Sequence, residues 1–327
     1  MFHEVLVPLD GSPHSEQALP LAGVIADLAG SHLTLARVHS PIGRLARAAN
    51  GSMRGAPLLA GDQLAIDTAR RYLEGLAREL APELTGQSIA TTVLIGGVSS
   101  ELLRHARATA TDLVVMTTHG RGAVGRAWLG SVADRLVRRS RIPILLLRPG
   151  EARPAPGAVP TWDHVLVPLD GSELAAQILT PALALARLTR ARVTLLRVVD
   201  RALLAFGYPP VPHGAVLEPV SAAADEAVAR EYLDRMAAAL RAEDLDVDTS
   251  IIAHPRPAEA ILDAAETAGA GLIALSTRGF GGVSRALLGS VADKVLRAAT
   301  VPVLVQRPRA MKAGDAPSDV AELASAS

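Results

Sequence analysis

The sequence predicts an α/β protein made of two tandem copies of one domain, each built around a parallel sheet. The segment Val5-Leu-Val-Pro-Leu-Asp-Gly-Ser12 recurs at 165–172, and Leu129-Gly-Ser-Val-Ala-Asp134 recurs at 288–293. Both fragments return about 160 residues later, so the stretches between them are equivalent as well. Each half also alternates short apolar runs with longer stretches of helical period, which is the pattern of a parallel sheet flanked by helices.

The length of the chain and the period of the repeat both agree with two domains. A chain of 327 residues, of which 49% are hydrophobic, is long enough to build two cores. Solenoid repeats have periods of roughly 20–50 residues, so a repeat of this size is a whole domain. We assign residues 1–150 to the first domain, 151–160 to a proline-rich linker, 161–309 to the second domain and 310–327 to a disordered tail.

The short apolar runs are predicted to be the strands. They lack the alternation of a half-exposed strand, as expected where helices cover both faces of a sheet. In the first half the predicted strands are Val5–Leu9, Leu33–Val38, Thr91–Ile95, Leu113–Met116 and Ile144–Leu147. In the second half they are Val165–Leu169, Val193–Val199, Thr249–Ile252, Leu272–Leu275 and Val303–Val305.

Helical periodicity is clearest over Asp62–Leu80 and Ala222–Leu240, each of which precedes the third predicted strand of its half. The segments before them, 40–61 and 200–221, are rich in glycine, proline or both. Loops of about 20 residues are uncommon in compact domains and are often lids or binding loops. The alternative is a surface insertion, which is tolerated because loop-closure entropy grows slowly with length.

Charge and composition exclude several classes of partner. The formal net charge is zero, with no run of like charges, so the chain has no electrostatic footprint for nucleic acid or an anionic membrane. No apolar run reaches the roughly 18 residues that cross a bilayer, and the N-terminus lacks a signal-peptide pattern. Cysteine is absent and the histidines lack the paired spacing of a metal site. We therefore expect a cytoplasmic protein that binds neither nucleic acid nor membrane and holds no structural metal.

Two features of each half converge on one candidate site. Asp10 and Asp170 follow the first strand, at the edge where open parallel sheets bind ligands. A glycine-rich loop, 117–131 or 276–290, follows the fourth strand and faces the same crevice if the first and fourth strands are neighbours. Glycines let backbone amides approach an anion, and the start of a helix attracts negative charge, so the loop predicts a phosphate site. The alternative is a tight turn whose final serine is an ordinary helix N-cap.

Both halves resemble domains of the universal stress protein family, over roughly residues 1–148 and 161–307. Nucleotide-binding members of this family carry the pattern G-x2-G-x9-G-[ST] after the fourth strand. The last three positions match in each half, at Gly120, Gly130 and Ser131, and at Gly279, Gly289 and Ser290. Thr117 and Ser276 stand at the position of the first glycine, where a side chain requires a negative φ.

The resemblance implies two flavodoxin-like domains, each a doubly wound, five-stranded parallel sheet with strand order 3-2-1-4-5. It also implies an adenine nucleotide, ATP or AMP, with Mg²⁺ optional at the phosphates. By position, Asp10 matches the aspartate that contacts the adenosine part, and Val38 matches the residue whose backbone meets adenine. The full set of implied contacts is Asp10, Val38, Thr117, Gly120, Gly130, Ser131, Val132, Asp170, Val198, Ser276, Gly279, Gly289, Ser290 and Val291.

We expect a sensor or regulator of a stress response rather than an enzyme. The signature loops of P-loop NTPases and ATP pyrophosphatases are absent, and Pro8 occupies the nucleophile position of haloacid-dehalogenase-like phosphatases. His119 aligns with Arg278 in the second half, so we interpret it as a donor to phosphate or solvent rather than a general base. Asp134 and Asp293 fall early in the last helix and are interpreted as structural. One alternative is slow ATP hydrolysis. The other is an interaction module that binds no nucleotide and acts through dimerisation and protein partners. The sequence identifies no client protein.

The resemblance also implies how the halves associate. The segments 142–147 and 301–305 should contain the final strand of each sheet, and an exposed apolar edge invites pairing. Universal stress protein domains pair through this edge, so we expect a pseudo-two-fold dimer within one chain, to which a further homodimer could be added. A linker of about ten residues covers roughly 30 Å when extended, which permits this arrangement.

Overall fold

The fold is described from a computed structural model of the chain. The described residues are 2–41, 59–118, 129–150, 162–199, 222–277 and 288–309. The chain divides into two compact units, Met1–Pro160 and Thr161–Ser327. The linker, the tail and most of the two long connections lie outside the described residues.

The first unit is a five-stranded parallel sheet with helices between consecutive strands. Its strand order is β3-β2-β1-β4-β5, and the pairs are parallel. Its elements are β1 (Glu4–Pro8), α1 (Pro13–Glu16), α2 (Leu19–Ala29), β2 (His32–His39), α3 (Ala60–Leu80), a 3-10 turn (Ala81–Glu83), β3 (Ile89–Ile95), α4 (Val98–Ala108), β4 (Leu113–Thr117), α5 (Ser131–Arg139) and β5 (Ile144–Leu147).

The second unit repeats this arrangement, with strand order β10-β9-β6-β7-β8 and parallel pairs. Its elements are β6 (His164–Pro168), α6 (Glu173–Ala176), α7 (Leu179–Thr189), β7 (Arg192–Val199), α8 (Ala222–Arg241), β8 (Val247–Ala253), α9 (Pro257–Thr267), β9 (Leu272–Ser276), α10 (Ser290–Ala298) and β10 (Val303–Gln306). Counted within each unit, both orders read 3-2-1-4-5, which confirms the predicted fold class.

Burial explains why the strands are continuously apolar. Val5, Leu6 and Val7 of β1 are all buried, although their side chains alternate between the two faces of the sheet. Both faces of the strand are therefore covered. The strand pairs with β2 and β4 on its two sides, with Val5 opposite Leu33 and Leu113. This central position of β1 places its carboxyl end in the middle of the sheet edge.

Helix α3 begins two residues before the start predicted from periodicity. The carboxylate of Asp62 accepts a hydrogen bond from the Leu59 backbone N–H at 3.1 Å, which fixes the first turn of the helix. Farther along, its buried residues Ile66, Leu73 and Leu80 lie on one face of the helix. The helix packs against β2 and β3.

Candidate functional site

A crevice opens at the carboxyl ends of β1 and β4, where the strand order of the first unit reverses. The crevice holds a cavity of about 690 Å³, which falls within the usual range of ligand pockets, roughly 300–1,000 Å³. Chain segments that follow β1, β2 and β4 line it, together with helices α3, α4 and the start of α5. The lining includes these predicted contacts: Asp10, Val38, Thr117, Gly130, Ser131 and Val132.

The carboxylate of Asp10 is held in place at the end of β1. Its Oδ1 accepts hydrogen bonds from the Ser12 backbone N–H at 2.9 Å and from the Ser12 hydroxyl at 2.6 Å. The second unit repeats both bonds, with Asp170 accepting from the Ser172 N–H at 3.0 Å and from its hydroxyl at 2.6 Å. Because the same short turn fixes both carboxylates, each half presents an oriented acceptor just beyond the carboxyl end of its first strand.

Val38 lies one residue before the end of β2, opposite Leu94 of β3. Its counterpart Val198 lies one residue before the end of β7, opposite Ile252. Both valines are partly buried. The end of β2 therefore places Val38 on the cavity wall.

The start of α5 carries no side-chain cap. Gly130 is the N-cap residue and Ser131 is the first residue inside the helix, and the same arrangement holds for Gly289 and Ser290 at α10. The alternative that these serines are ordinary N-caps is therefore wrong, because each helix begins at the serine itself, one residue earlier than a serine N-cap requires. The first amides of α5 lie at the cavity without a capping side chain, a geometry that suits an anion.

Thr117 and Ser276 are the last residues of β4 and β9. Neither is among the described residues with a positive φ, so a side chain at these positions carries no left-handed strain. The departure from the first motif glycine is therefore sterically acceptable. The second motif glycines, Gly120 and Gly279, lie outside the described residues, as do His119 and Arg278.

The third motif glycine of the second half has a packing role. The Gly289 N–H donates to the Thr277 carbonyl at 2.9 Å, and a Cβ at this position would lie 3.1 Å from the same oxygen. In the first half the Gly130 N–H makes the equivalent bond to the Thr118 carbonyl at 2.7 Å. These contacts fasten the start of the last helix to the residue that follows the fourth strand.

An arginine of β2 and a tyrosine of α3 contact each other where α3 covers the strand. The sequence did not lead us to predict this contact. The guanidinium carbon of Arg37, which lines the cavity, lies 5.2 Å from the centroid of the Tyr72 ring. The Tyr72 hydroxyl donates to Glu16 at 2.8 Å. Burial first, and then the bond to Glu16, raise the pKa of Tyr72 above its ordinary value.

The second half keeps the arginine and the tyrosine as Arg197 and Tyr232, whereas Ala176 replaces the glutamate. The Tyr232 hydroxyl is buried and has no hydrogen-bond partner among the described residues. Burial, together with the nearby Asp170, raises the pKa of Tyr232 to about 12. Identity of both residues across the repeat was the signal that could have revealed them.

Asp134 and Asp293 take part in ion pairs within their own helices. Asp134 contacts Arg138 at 2.8 Å and Asp293 contacts Arg297 at 2.8 Å, each one helical turn away. Neither aspartate lines the cavity described for the first half. Their position in the first turn and these contacts agree with the structural role predicted for them.

The described ranges contain neither a membrane-spanning helix nor a cluster of metal-ligating side chains. None of the helices there combines the length and apolar character needed to cross a bilayer. Within the same ranges, no three side chains of the types His, Cys, Asp and Glu converge as metal ligands would.

The fold and the crevice define the class of protein. Each unit is a doubly wound α/β domain in which an aspartate, a strand end and an uncapped helix start surround the point where the strand order reverses. The model of the universal stress protein family matches residues 1–148 and 161–307. The chain belongs to the universal stress protein family, as a member with two domains in tandem.

Relatives with the same family name cover different shares of the chain. A universal stress protein of Mycobacterium tuberculosis is 34% identical over 199 residues, which span 60% of this chain and 62% of that protein. A second one from the same species is 28% identical over 320 residues, covering 93% of this chain and 94% of that protein. Among solved structures, a universal stress protein from Archaeoglobus fulgidus aligns with a TM-score of 0.65 at 20% identity, covering 93% of this chain and 98% of that one. The structural likeness shows the shared flavodoxin-like fold.

Proposed function

We propose that this protein binds an adenine nucleotide, ATP or AMP, at the crevice of each half and acts as a sensor or regulator of a stress response. One observation carries the proposal. Six predicted contacts, which come from four separate parts of the chain, line one cavity of about 690 Å³ in the first half. Residues that only shape turns have no reason to converge on one cavity of ligand size.

The chemistry of the cavity wall fits such a ligand. Ala65, Val98 and Leu129, which are partly exposed, supply an apolar surface against which a base packs. Asp10 would accept from the ribose hydroxyls. Ser131 and the first amides of α5 would hold the phosphates, since a helix start favours negative charge. A Mg²⁺ ion would be held mainly by the phosphates and water, which is how this ion is usually bound beside a nucleotide.

The second half supports the same ligand class through matching local geometry. Asp170 is held as Asp10 is, and the start of α10 is tied to Thr277 as the start of α5 is tied to Thr118. We therefore assign Asp170, Val198, Ser276, Ser290 and Val291 the same roles as their first-half counterparts.

The proposal is for a binding protein located in the cytoplasm, without an enzymatic activity. The competing function is an interaction module that binds no nucleotide, in which Gly289 would serve only to pack against Thr277. The pairing of the two halves through their final strands stays a prediction. Expressing residues 1–150 and 161–309 separately and measuring their association in solution would test it.

Mass analysis of the nucleotide released from freshly purified full-length protein tests the proposed function. We expect ATP or AMP in the released fraction. We also expect a rise in melting temperature of several degrees with added ATP, because ligand at 100 times Kd adds about 2.7 kcal/mol of stability. Protein that releases no nucleotide and shows no shift at millimolar ATP would instead support the interaction module.

A further inference from the structure

A histidine on the wall of the first-half cavity forms a hydrogen-bonded pair with an aspartate of α3. His39 is the last residue of β2 and lines the cavity next to Val38. Its Nε2 lies 2.8 Å from Oδ1 of Asp62, which sits in the first turn of α3. The two side chains are 18% and 9% exposed, so the pair is sheltered from solvent, and His39 is the member that lines the cavity.

The contacts of Asp62 determine which ring nitrogen of His39 carries a proton. The bond from His39, and then the bond from the Leu59 N–H, lower the pKa of Asp62, so the group is a carboxylate. A carboxylate only accepts hydrogen bonds, and His39 Nε2 must therefore be the donor. In the neutral ring the remaining nitrogen, Nδ1, is then an acceptor, and it makes no hydrogen bond within the described part of the chain.

The second half lacks this pair. Val199 stands at the position of His39 and Ala222 at the position of Asp62. The neighbouring Arg37 and Tyr72 are both retained there, as Arg197 and Tyr232, so the wall is otherwise similar. Because only the first half has this polar pair, we expect the two halves to differ in which polar groups of a ligand they bind.

We propose that His39, oriented by Asp62, determines base specificity in the first half by accepting a hydrogen bond from an exocyclic amino group. This inference rests on the proposed function. Adenine carries an amino donor at the position where guanine carries a carbonyl acceptor. An acceptor at Nδ1 can pair with the amino group of adenine. With guanine, the same nitrogen would face a lone pair of the carbonyl oxygen. The first half therefore selects adenine over guanine. The second half, with valine, discriminates less.

Nucleotide binding at one site can be measured separately in the full chain only if the other site is prevented from binding. Ser290→Asp places a carboxylate where the phosphates of the second site would lie, and a negative charge at a helix start does not harm the fold. Ser131→Asp does the same for the first site. Calorimetric titration of each variant with ATP and with GTP then reports one site at a time.

In the Ser290→Asp background we expect ATP to bind about tenfold more tightly than GTP, because the wrong base leaves a buried polar group unpaired. Adding His39→Val, which installs the residue of the second half, should weaken ATP binding about threefold to tenfold and leave GTP binding unchanged or slightly tighter, because the unpaired acceptor is gone. His39→Gln, which retains an acceptor, should restore part of the preference. The Ser131→Asp protein should show an ATP to GTP ratio close to that of the His39→Val variant.

Two results would overturn the inference while leaving nucleotide binding intact. One is an ATP to GTP ratio that does not change in His39→Val. The other is a larger loss for GTP than for ATP, which would mean that the ring presents a donor. If neither single-site protein binds ATP or GTP, the proposed function itself is wrong and this inference falls with it.

Discussion

The Gly289 N–H donates to the carbonyl of Thr277, and the missing Cβ of Gly289 would lie 3.1 Å from that same oxygen. The close approach joins the start of α10 to the end of β9. A motif glycine that family resemblance assigns to phosphate contact is thus also required by packing. The two roles are compatible, because the contact uses the Gly289 N–H and leaves the start of α10 without a capping side chain.

Replacing Gly289 with alanine should destabilise the protein by about 1–3 kcal/mol, since the Thr277 backbone must shift to admit the Cβ. The control is Gly75→Ala in the interior of α3, where a Cβ meets nothing within 4 Å. That change should stabilise by about 0.5–1 kcal/mol because alanine favours the helix. Urea unfolding of both variants measures the difference, and equal stabilities for the two would refute the packing role.

The two tyrosines on the covering helices should respond differently to loss of their hydroxyls. Tyr72→Phe removes a hydrogen bond to Glu16 and should cost about 1–2 kcal/mol. Tyr232→Phe removes a buried hydroxyl with no described partner and should be neutral or slightly stabilising. Chemical denaturation of the two variants compares their free energies of unfolding. A loss of stability in Tyr232→Phe as large as that in Tyr72→Phe would show that the Tyr232 hydroxyl makes a hydrogen bond.

Equivalent helix ends in the two halves offer a stabilising exchange. Helix α2 ends at Gly30 with a φ of 67°, whereas α7 ends at Arg190 with a φ of 55°. A side chain in this left-handed region costs roughly 1–2 kcal/mol, so Arg190→Gly should stabilise the protein by about 1 kcal/mol. Gly30→Ala is the reciprocal control and should destabilise. A melting temperature that falls in Arg190→Gly would contradict this explanation.

Stability should decline in mild acid because of His164. Burial, aided by the Arg192 charge, lowers the pKa of His164, although its bond to the Ala268 carbonyl opposes the shift. A histidine with a folded pKa below its unfolded value of about 6.5 stabilises fully above that pH and progressively less as the pH falls through it. His105, whose pKa burial also lowers, acts in the same direction.

We therefore expect the urea midpoint of the full chain to be lower at pH 5.5 than at pH 7.5. The change should be smaller in His164→Gln, which keeps a side chain that can hydrogen-bond but does not titrate. A pH dependence that is identical in the variant would exclude His164 as a source.

Much of the fold was predictable because the core dictates it. The buried run at β1 is apolar at every interior position, so its limits could be read to within one residue. The start of α3 was misplaced because the capping bond of Asp62 to Leu59, rather than apolar periodicity, sets it. The sequence left two interpretations of Ser131 open, because serine is the common capping residue, and only backbone geometry shows that the helix begins at Ser131 with Gly130 as its N-cap.

The candidate site was predictable only where the two halves agree. The repeat singled out Asp10, and the structure brings it to the cavity with the helix start. His39 and Asp62 lie 23 residues apart on different elements, and the second half has neither, so no sequence pattern joins them. Their pairing depends on how α3 packs against β2.

Calorimetric titration of the full chain with ATP tests nucleotide binding at the crevice most directly. The comparison is between the natural protein and the double variant Ser131→Asp with Ser290→Asp, with asparagine at both positions as the neutral control. We predict saturable binding to the natural protein and to the asparagine control. The aspartate variant should lose binding while keeping its melting temperature, since the charge repels phosphate but suits the helix start. ATP binding of equal affinity in the aspartate variant would contradict the account.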